Sequence, residues 1–175
     1  MKKTLNQEFF NRPTSQVAED LLGKYLVRRR LSGEVIDTMI TEVEVYDGFK
    51  DKGSHASRGK TPRNLPMFGR AGQWYIYFTY GRHWMLNLVT REKDYPAAIL
   101  IRGVLGTNGP ARLTKKLQID KKLNGLPATR KSGLWIEDRG VKIPKSKIKK
   151  TERIGIAYAG PYWSRKKWRF LIVPD

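Results

Sequence analysis

The chain contains no cysteine. That absence excludes disulfides, iron–sulfur clusters and thiolate zinc sites. Histidine is nearly missing too, with His55 and His83 the only two. A metal site would have to be completed by carboxylates, so no metal and no cofactor are expected. No apolar run approaches the roughly 20 residues that a membrane-spanning helix needs. No long basic amphipathic helix is evident either, so no membrane partner is expected. The opening MKKTLNQEFF starts with a basic pair, but no apolar stretch of about 7–15 residues follows it. The expected compartment is therefore intracellular: cytoplasm or nucleoid, or nucleus in a eukaryote. The lysine run PKSKIKK at 144–150 resembles a nuclear signal, but such runs are common in basic chains.

Acidic residues are scarce and unevenly spread. There are 16 Asp+Glu against 35 Lys+Arg, a formal net charge of +19. Such an excess points to a polyanionic partner, nucleic acid first. Glu34, Asp37, Glu42, Glu44, Asp47 and Asp51 lie close together, and no acid follows between Lys52 and Arg91. That acid-free stretch holds both histidines and a dense set of aromatics. At 175 residues, 39% of them hydrophobic, the chain is long enough for a buried core. No repeat, linker or composition shift marks a boundary, so residues 1–175 read as a single domain.

Residues 1–14 read as an arm docked by Phe9 and Phe10 and ended by Pro13. Thr14 or Ser15 is expected to cap a helix in which Val17, Ala18, Leu21, Leu22 and Tyr25 recur at helical spacing, closed near Gly23, with Tyr25–Arg30 turning extended. A turn at Ser32-Gly33 predicts a hairpin between 25–30 and 35–46. In the second of these strands, a period of two puts Val35, Met39, Val43 and Val45 on one face, with Asp37 and Thr41 as polar exceptions. Ile36, Thr38, Ile40, Glu42, Glu44 and Tyr46 share the other, so Glu44 and Tyr46 point the same way. The plain reading is an acidic face in water. Residues 47–72 are rich in glycine and proline, long for a structureless segment. QWYIYFTY at 73–80 has strong strand propensity. Trp74, Ile76 and Phe78 fall on one face; Tyr75, Tyr77 and Thr79 fall on the other, as a buried pair or a stacking platform. A strand near Trp84 carries Asn87, and AAILIR at 97–102 is a short apolar strand ending in Arg102. Asn108 is expected to cap a helix with Pro110 in its first turn. The basic run 139–153 reads as solvated loop. RIGIAY at 153–158 and WRFLIV at 168–173 read as the last strands.

A binder of nucleic acid would use the aromatics and the basic residues but not a carboxylate, which repels phosphates. A glutamate kept in such a place is easier to explain as a general base. Chemistry on a base requires flipping it from the stack between aromatic walls. Zinc deaminases are excluded by the missing cysteines.

TEVEVY at 41–46, SHASRGKTPRN at 54–64, MFG at 67–69, WYIYFTYG at 74–81, HWMLN at 83–87, ILIRG at 99–103 and NGPARL at 108–113 together resemble the alkyladenine (3-methyladenine) DNA glycosylase family. The motifs stand in family order and cover nearly the whole chain. The resemblance implies an α+β fold, a curved, largely antiparallel sheet with flanking helices. It implies a monomeric, monofunctional enzyme that excises alkylated or deaminated purines from duplex DNA. Glu44 matches the general base that activates water for attack on the sugar C1′. Arg102 matches the arginine that helps hold that water and adjacent backbone. Tyr46 and Tyr77 match the aromatics on the two faces of the flipped base, His55 the pocket-wall histidine, and Asn87 the asparagine that excludes the guanine 2-amino group. Tyr80 matches the intercalating residue. Arg58, Arg63, Arg82 and His83 are expected on the DNA-facing surface. No lysine falls in the matched site, so no strand cleavage through a Schiff base is expected. Three positions depart from the pattern: the segment 104–107 is shortened, Arg82 replaces a usual methionine, and Val43 a common threonine. A non-catalytic, basic nucleic-acid-binding protein is the alternative.

Overall fold

The structure, a computed structural model, describes residues 2–173. Strand β1 (Lys3–Thr4) and helix α1 (Gln7–Phe10) precede helix α2 (Thr14–Leu21). The hairpin β2 (Tyr25–Arg29) and β3 (Val35–Asp47) follows. A loop with two short 3₁₀ turns then leads to β4 (Trp74–Thr79), β5 (His83–Val89) and β6 (Ala97–Val104). Next come β7 (Thr107–Asn108), α3 (Pro110–Lys116), β8 (Leu134–Asp138), β9 (Ile148–Thr151), α4 (Gly160–Ser164) and β10 (Arg169–Ile172). Among the described residues, no helix is long and apolar enough to cross a membrane.

The sheet runs β1-β8-β2-β3-β6-β5-β4, and every pairing is antiparallel. Its organising element is β3. The early part of this strand pairs with β2 through Val35–Met39, and its late part pairs with β6 through Ile40–Asp47. Where β2 leaves, β10 takes over that edge, with Arg169, Phe170 and Leu171 opposite Glu44, Val43 and Glu42. The fold is therefore α+β, built on a large, unclosed antiparallel sheet.

Val17, Ala18 and Leu21 of α2 are fully buried against the sheet. They recur at helical spacing, and burying one Val or Leu contributes about 1.5–3 kcal/mol. Trp74, Ile76, Leu86, Leu88, Ile99 and Ile101 join them in one core cluster, to which α3 adds Leu113. On the opposite face lies a smaller cluster of Ala56, Met67, Phe68, Tyr75, Val89 and Ala98, with Tyr77 packed on it. The faces of β4 thus divide as its alternation predicts, with Trp74 and Ile76 to the core and Tyr75 and Tyr77 away from it.

In three places the structure differs from the pattern. First, β3 does not keep one apolar face. Register shifts fall between Ile40 and Glu42 and between Glu42 and Val43. An extra residue turns the strand over, so Thr38 and Ile40 are buried before the bulge and Val43 and Val45 after it. Glu42, Glu44 and Tyr46 consequently face away from the main core. Second, neither expected cap is used. The Thr14 hydroxyl donates to Asp47 at 3.0 Å and accepts from Thr90 at 3.0 Å, tying α2 to the end of β3. Gly109, at φ 98°, precedes α3 in place of Asn108. Third, the C-terminal region is rearranged. Part of the basic run forms β9, paired with β10, whereas 153–158 is no strand. Gly155 sits at φ 78°, and Arg153 is pulled inward, 5% exposed. A left-handed residue does not fit a strand ladder.

Candidate active site

The bulge of β3 sets the floor of the site. Glu44 is completely buried. Its Oε1 accepts the Ile154 backbone N–H at 2.8 Å, and its Oε2 accepts the Tyr46 hydroxyl at 2.9 Å. Arg102, from the neighbouring strand β6, brings Nε to 3.5 Å from Oε1. Burial pushes the Glu44 carboxyl above its ordinary value, while Arg102, the Ile154 N–H and the Tyr46 hydroxyl pull it down. Burial and then the Glu44 charge hold the Tyr46 phenol well above its ordinary value, so it stays protonated and donates.

Over this floor opens a cavity of about 400 Å³ whose lining includes Tyr46, His55, Tyr77, Tyr80, Asn87 and Arg102. Tyr75 and Tyr77, two residues apart on β4, place their ring centroids 5.3 Å apart. His55 meets Tyr77 edge-on at 4.6 Å, and its Nδ1 lies 2.9 Å from the Tyr75 hydroxyl. Burial first, then Arg63, lowers His55 to about 4. The imidazole is therefore neutral near pH 7, with one donor and one acceptor nitrogen. The Arg63 guanidinium lies 5.3 Å from the Tyr77 ring centroid and donates to the Phe78 carbonyl at 3.1 Å. Asn87, opposite Tyr75 in the β4–β5 ladder, donates to the Tyr75 carbonyl at 3.1 Å.

A second cavity of about 350 Å³ adjoins the first, sharing Ser54, His55, Arg63 and Tyr158 and adding Arg58. Tyr80 stands at the tip of the β4–β5 hairpin, 85% exposed. Its φ is 51° and that of Gly81 is 61°. A left-handed conformation is natural for glycine but strained for tyrosine, at about 1–3 kcal/mol. Arg82 and His83 follow on the same tip. They line a different groove, against Ala111, Arg112 and Lys115 of α3. The expected residues thus assemble in three groups. Tyr46, His55, Arg63, Tyr77, Tyr80, Asn87 and Arg102 line the main cavity, with Glu44 buried behind Tyr46 and Arg102; Arg58 borders the neighbouring cavity, and Arg82 and His83 face the groove against α3.

Several contributors carry no obvious mark in the sequence. Asp51 and Arg153 form a fully buried pair, with contacts of 2.6 and 2.8 Å. Arg153 also donates to the Val45 carbonyl at 2.9 Å. Its guanidinium lies 4.8 Å from the Tyr46 ring and 5.1 Å from Trp168, backing the Tyr46 wall. The next residue, Ile154, supplies the N–H to Glu44. Tyr158 lines both cavities and donates to the Gly53 carbonyl at 3.0 Å. Only Gly155 hinted that 153–158 would be loop. Glu42 also proves to be part of an ion-pair cluster with Arg102 and Arg169, at 2.8 and 2.6 Å. Among the described residues, no group of three or more His, Cys, Asp or Glu is gathered to hold a metal ion.

A buried carboxylate beneath an aromatic cavity in a strongly basic chain suits chemistry on a nucleobase. Comparison with known proteins agrees. The family model described as Methylpurine-DNA glycosylase (MPG) matches residues 8–106 and 105–175. A protein of Methanocella arvoryzae named "Putative 3-methyladenine DNA glycosylase" is 39% identical over 95% of this chain and 90% of its own length. One from Sodalis glossinidius with the same name is 40% identical over 95% of each chain. A third so named, from Streptomyces avermitilis, is 38% identical over 98% of this chain and 88% of its own. On this similarity along its whole length, the chain belongs to the methylpurine-DNA glycosylase family, whose members are hydrolases of DNA repair.

Proposed function

We propose that the protein, a DNA glycosylase, hydrolyses the N-glycosidic bond of alkylated or deaminated purines flipped out of duplex DNA. 3-Methyladenine, 7-methylguanine, hypoxanthine and ethenoadenine represent the class. It acts as a monomer on intracellular DNA and starts base excision repair. The observation that carries the reading is Glu44: a buried carboxylate under an aromatic cavity, in a chain of charge +19.

In this mechanism Glu44 accepts a proton from water as the oxygen attacks C1′. The bond from C1′ to the base breaks, and the base leaves with its electron pair. An alkylpurine cation leaves as a neutral base; a neutral base leaves as an anion and takes up a proton from solvent. Positive charge grows on the sugar ring in the transition state, and the Glu44 charge stabilises it at close range. Tyr46 and Tyr77 enclose the base. Their faces favour a cationic base over a neutral one by about 0.5–2 kcal/mol. His55 and Asn87 contact its edges, and Asn87 rejects guanine through its 2-amino group. Arg102 helps hold the water. Arg58, Arg63, Arg82 and His83 meet the DNA, most of them as phosphate contacts.

The direct test is a set of duplexes with one lesion each. Free base should appear from at least one of them, leaving an intact strand with an abasic sugar, at the same rate with or without EDTA. Binding without release from any lesion would favour the non-catalytic alternative, and inhibition by EDTA would contradict a metal-free reaction.

Tyr80 is read as the side chain that fills the gap left by the flipped nucleotide. Its exposure and its strained backbone support this role, because neither serves the folded chain alone. Tyr80→Ala should weaken binding to lesion duplex by about 10-fold or more, the worth of one stacked base, and single-strand binding far less. Equal losses on both, measured by titration at one salt concentration, would reject intercalation.

A further inference from the structure

Glu42 lies beside the site without lining its cavity. Among the described residues, it is the only acid that shares Arg102 with Glu44. Arg102 Nε lies 2.8 Å from Glu42 Oε1 and 3.5 Å from Glu44 Oε1. Only the first is a hydrogen bond; the second is an ion contact. The same Glu42 oxygen accepts Arg169 Nε at 2.6 Å. The arrangement depends on the β3 bulge and on Gly103, which stands opposite Glu42 in the ladder. A Cβ at position 103 would come within 3.1 Å of the Glu42 Cβ and 3.3 Å of the Thr41 hydroxyl. Space for this carboxylate is therefore created by two separate features of the backbone.

We propose that Glu42 is a positioning residue that draws the Arg102 guanidinium away from Glu44, leaving a lone pair of Glu44 open for the attacking water. The inference rests on the reading of Glu44 as the general base. A carboxylate accepting a direct arginine hydrogen bond is a weaker base, because the bond favours its ionised form. Glu44 already accepts from Tyr46 and from the Ile154 N–H. A third strong donor would occupy the position water needs. Glu42 prevents this by binding the arginine first, and Arg169 balances the added negative charge.

The groups facing Glu44 come from its own strand and from the elements packed around it. Glu42 and Tyr46 share its strand, Arg102 stands on β6, and Arg169 on β10. Arg153 lies beyond Tyr46 and is neutralised by Asp51. Tyr77, across the cavity on β4, carries no charge near neutral pH, since burial pushes its phenol up to about 12. Removing the Glu42 charge thus acts on Glu44 in one direction, directly and through Arg102.

The test is the pH dependence of single-turnover base release, corrected for active fraction. In Glu42→Gln, Arg102 is free to bond Glu44. The acidic limb should move to lower pH by about one pH unit, and release at pH 7–8 should fall about 10-fold. Glu42→Asp keeps the charge and should return the limb toward its original position. Arg169→Gln leaves the Glu42–Arg102 pair intact and should not lower the limb. A Glu42→Gln profile superimposed on the parent, or an equal downward shift in Arg169→Gln, would overturn the proposal. Failure of the underlying reading looks different: Glu44→Gln would then retain the acidic limb itself.

Discussion

Glu44→Gln should hold lesion-bearing duplex with nearly unchanged affinity while base release falls by about 10³-fold or more. General-base catalysis contributes about 10²–10⁴-fold, and charge stabilisation next to a developing cation adds to it. The amide is close in shape to the carboxylate but can neither take a proton from water nor carry the negative charge. The fold should tolerate the change. One amide oxygen can still accept the Ile154 N–H, which reaches the carboxylate at 2.8 Å in the parent. Burying a neutral amide also costs less than burying a charge. Release should therefore be measured at saturating enzyme, with binding and melting temperature followed alongside. The pH profile gives a second view. In the proposed mechanism the ionised form of Glu44 is the active one, and burial raises its proton affinity. Release by the parent should drop as pH falls through that raised value, and this limb should be missing in Glu44→Gln. Unchanged release would remove Glu44 from the mechanism.

Arg153→Ala should destabilise the protein by about 3–5 kcal/mol, the usual effect of leaving one partner of a buried ion pair alone. Both side chains are fully shielded from solvent. Asp51 would keep the N–H groups of Asp47 and Gly53, at 3.2 and 3.0 Å, but lose its countercharge. The Val45 carbonyl would lose its donor, and Tyr46 and Trp168 would lose the cation between them. For a chain of this size the loss corresponds to a fall in Tm of roughly 6–20 °C. Urea unfolding gives the free energy directly. Replacing both charges, as in Asp51→Leu/Arg153→Met, should recover much of the loss, because no unpaired charge then remains. A single-variant loss below about 1 kcal/mol would show that the pair is not a structural anchor.

The two experiments probe parts of the site that differ in how they can be read. Glu44 and Tyr46 are two residues apart on one strand, so their common direction follows from strand geometry alone. Tyr75 and Tyr77 are related in the same way on β4. Local alternation carries this information, and the structure keeps it: the Tyr46 hydroxyl lies 2.9 Å from Glu44. Alternation fails at Glu42, where the bulge offsets one half of β3 from the other. Nothing in TEVEVY marks that offset. It is set by the register of β6 and by β10, which arrives from more than 100 residues away. Capping fails in a related manner at Thr14, whose hydroxyl is engaged by Asp47 and Thr90 from distant parts of the chain.

The composition by itself determined that the partner is a polyanion and that no thiolate metal site exists, because charge and missing ligands need no geometry. Strand periodicity determined that a glutamate and a tyrosine share a face, and the ordered motifs determined the family. Tertiary structure alone decided how buried that glutamate is and which groups restrain it. The Ile154 N–H, Arg102 and Arg153 reach Glu44 and Tyr46 from strands and loops far away in the chain, Ile154 from 110 residues on. Such contacts form only when non-local elements pair, and residue spacing along the chain holds no record of which distant donor a buried carboxylate will meet.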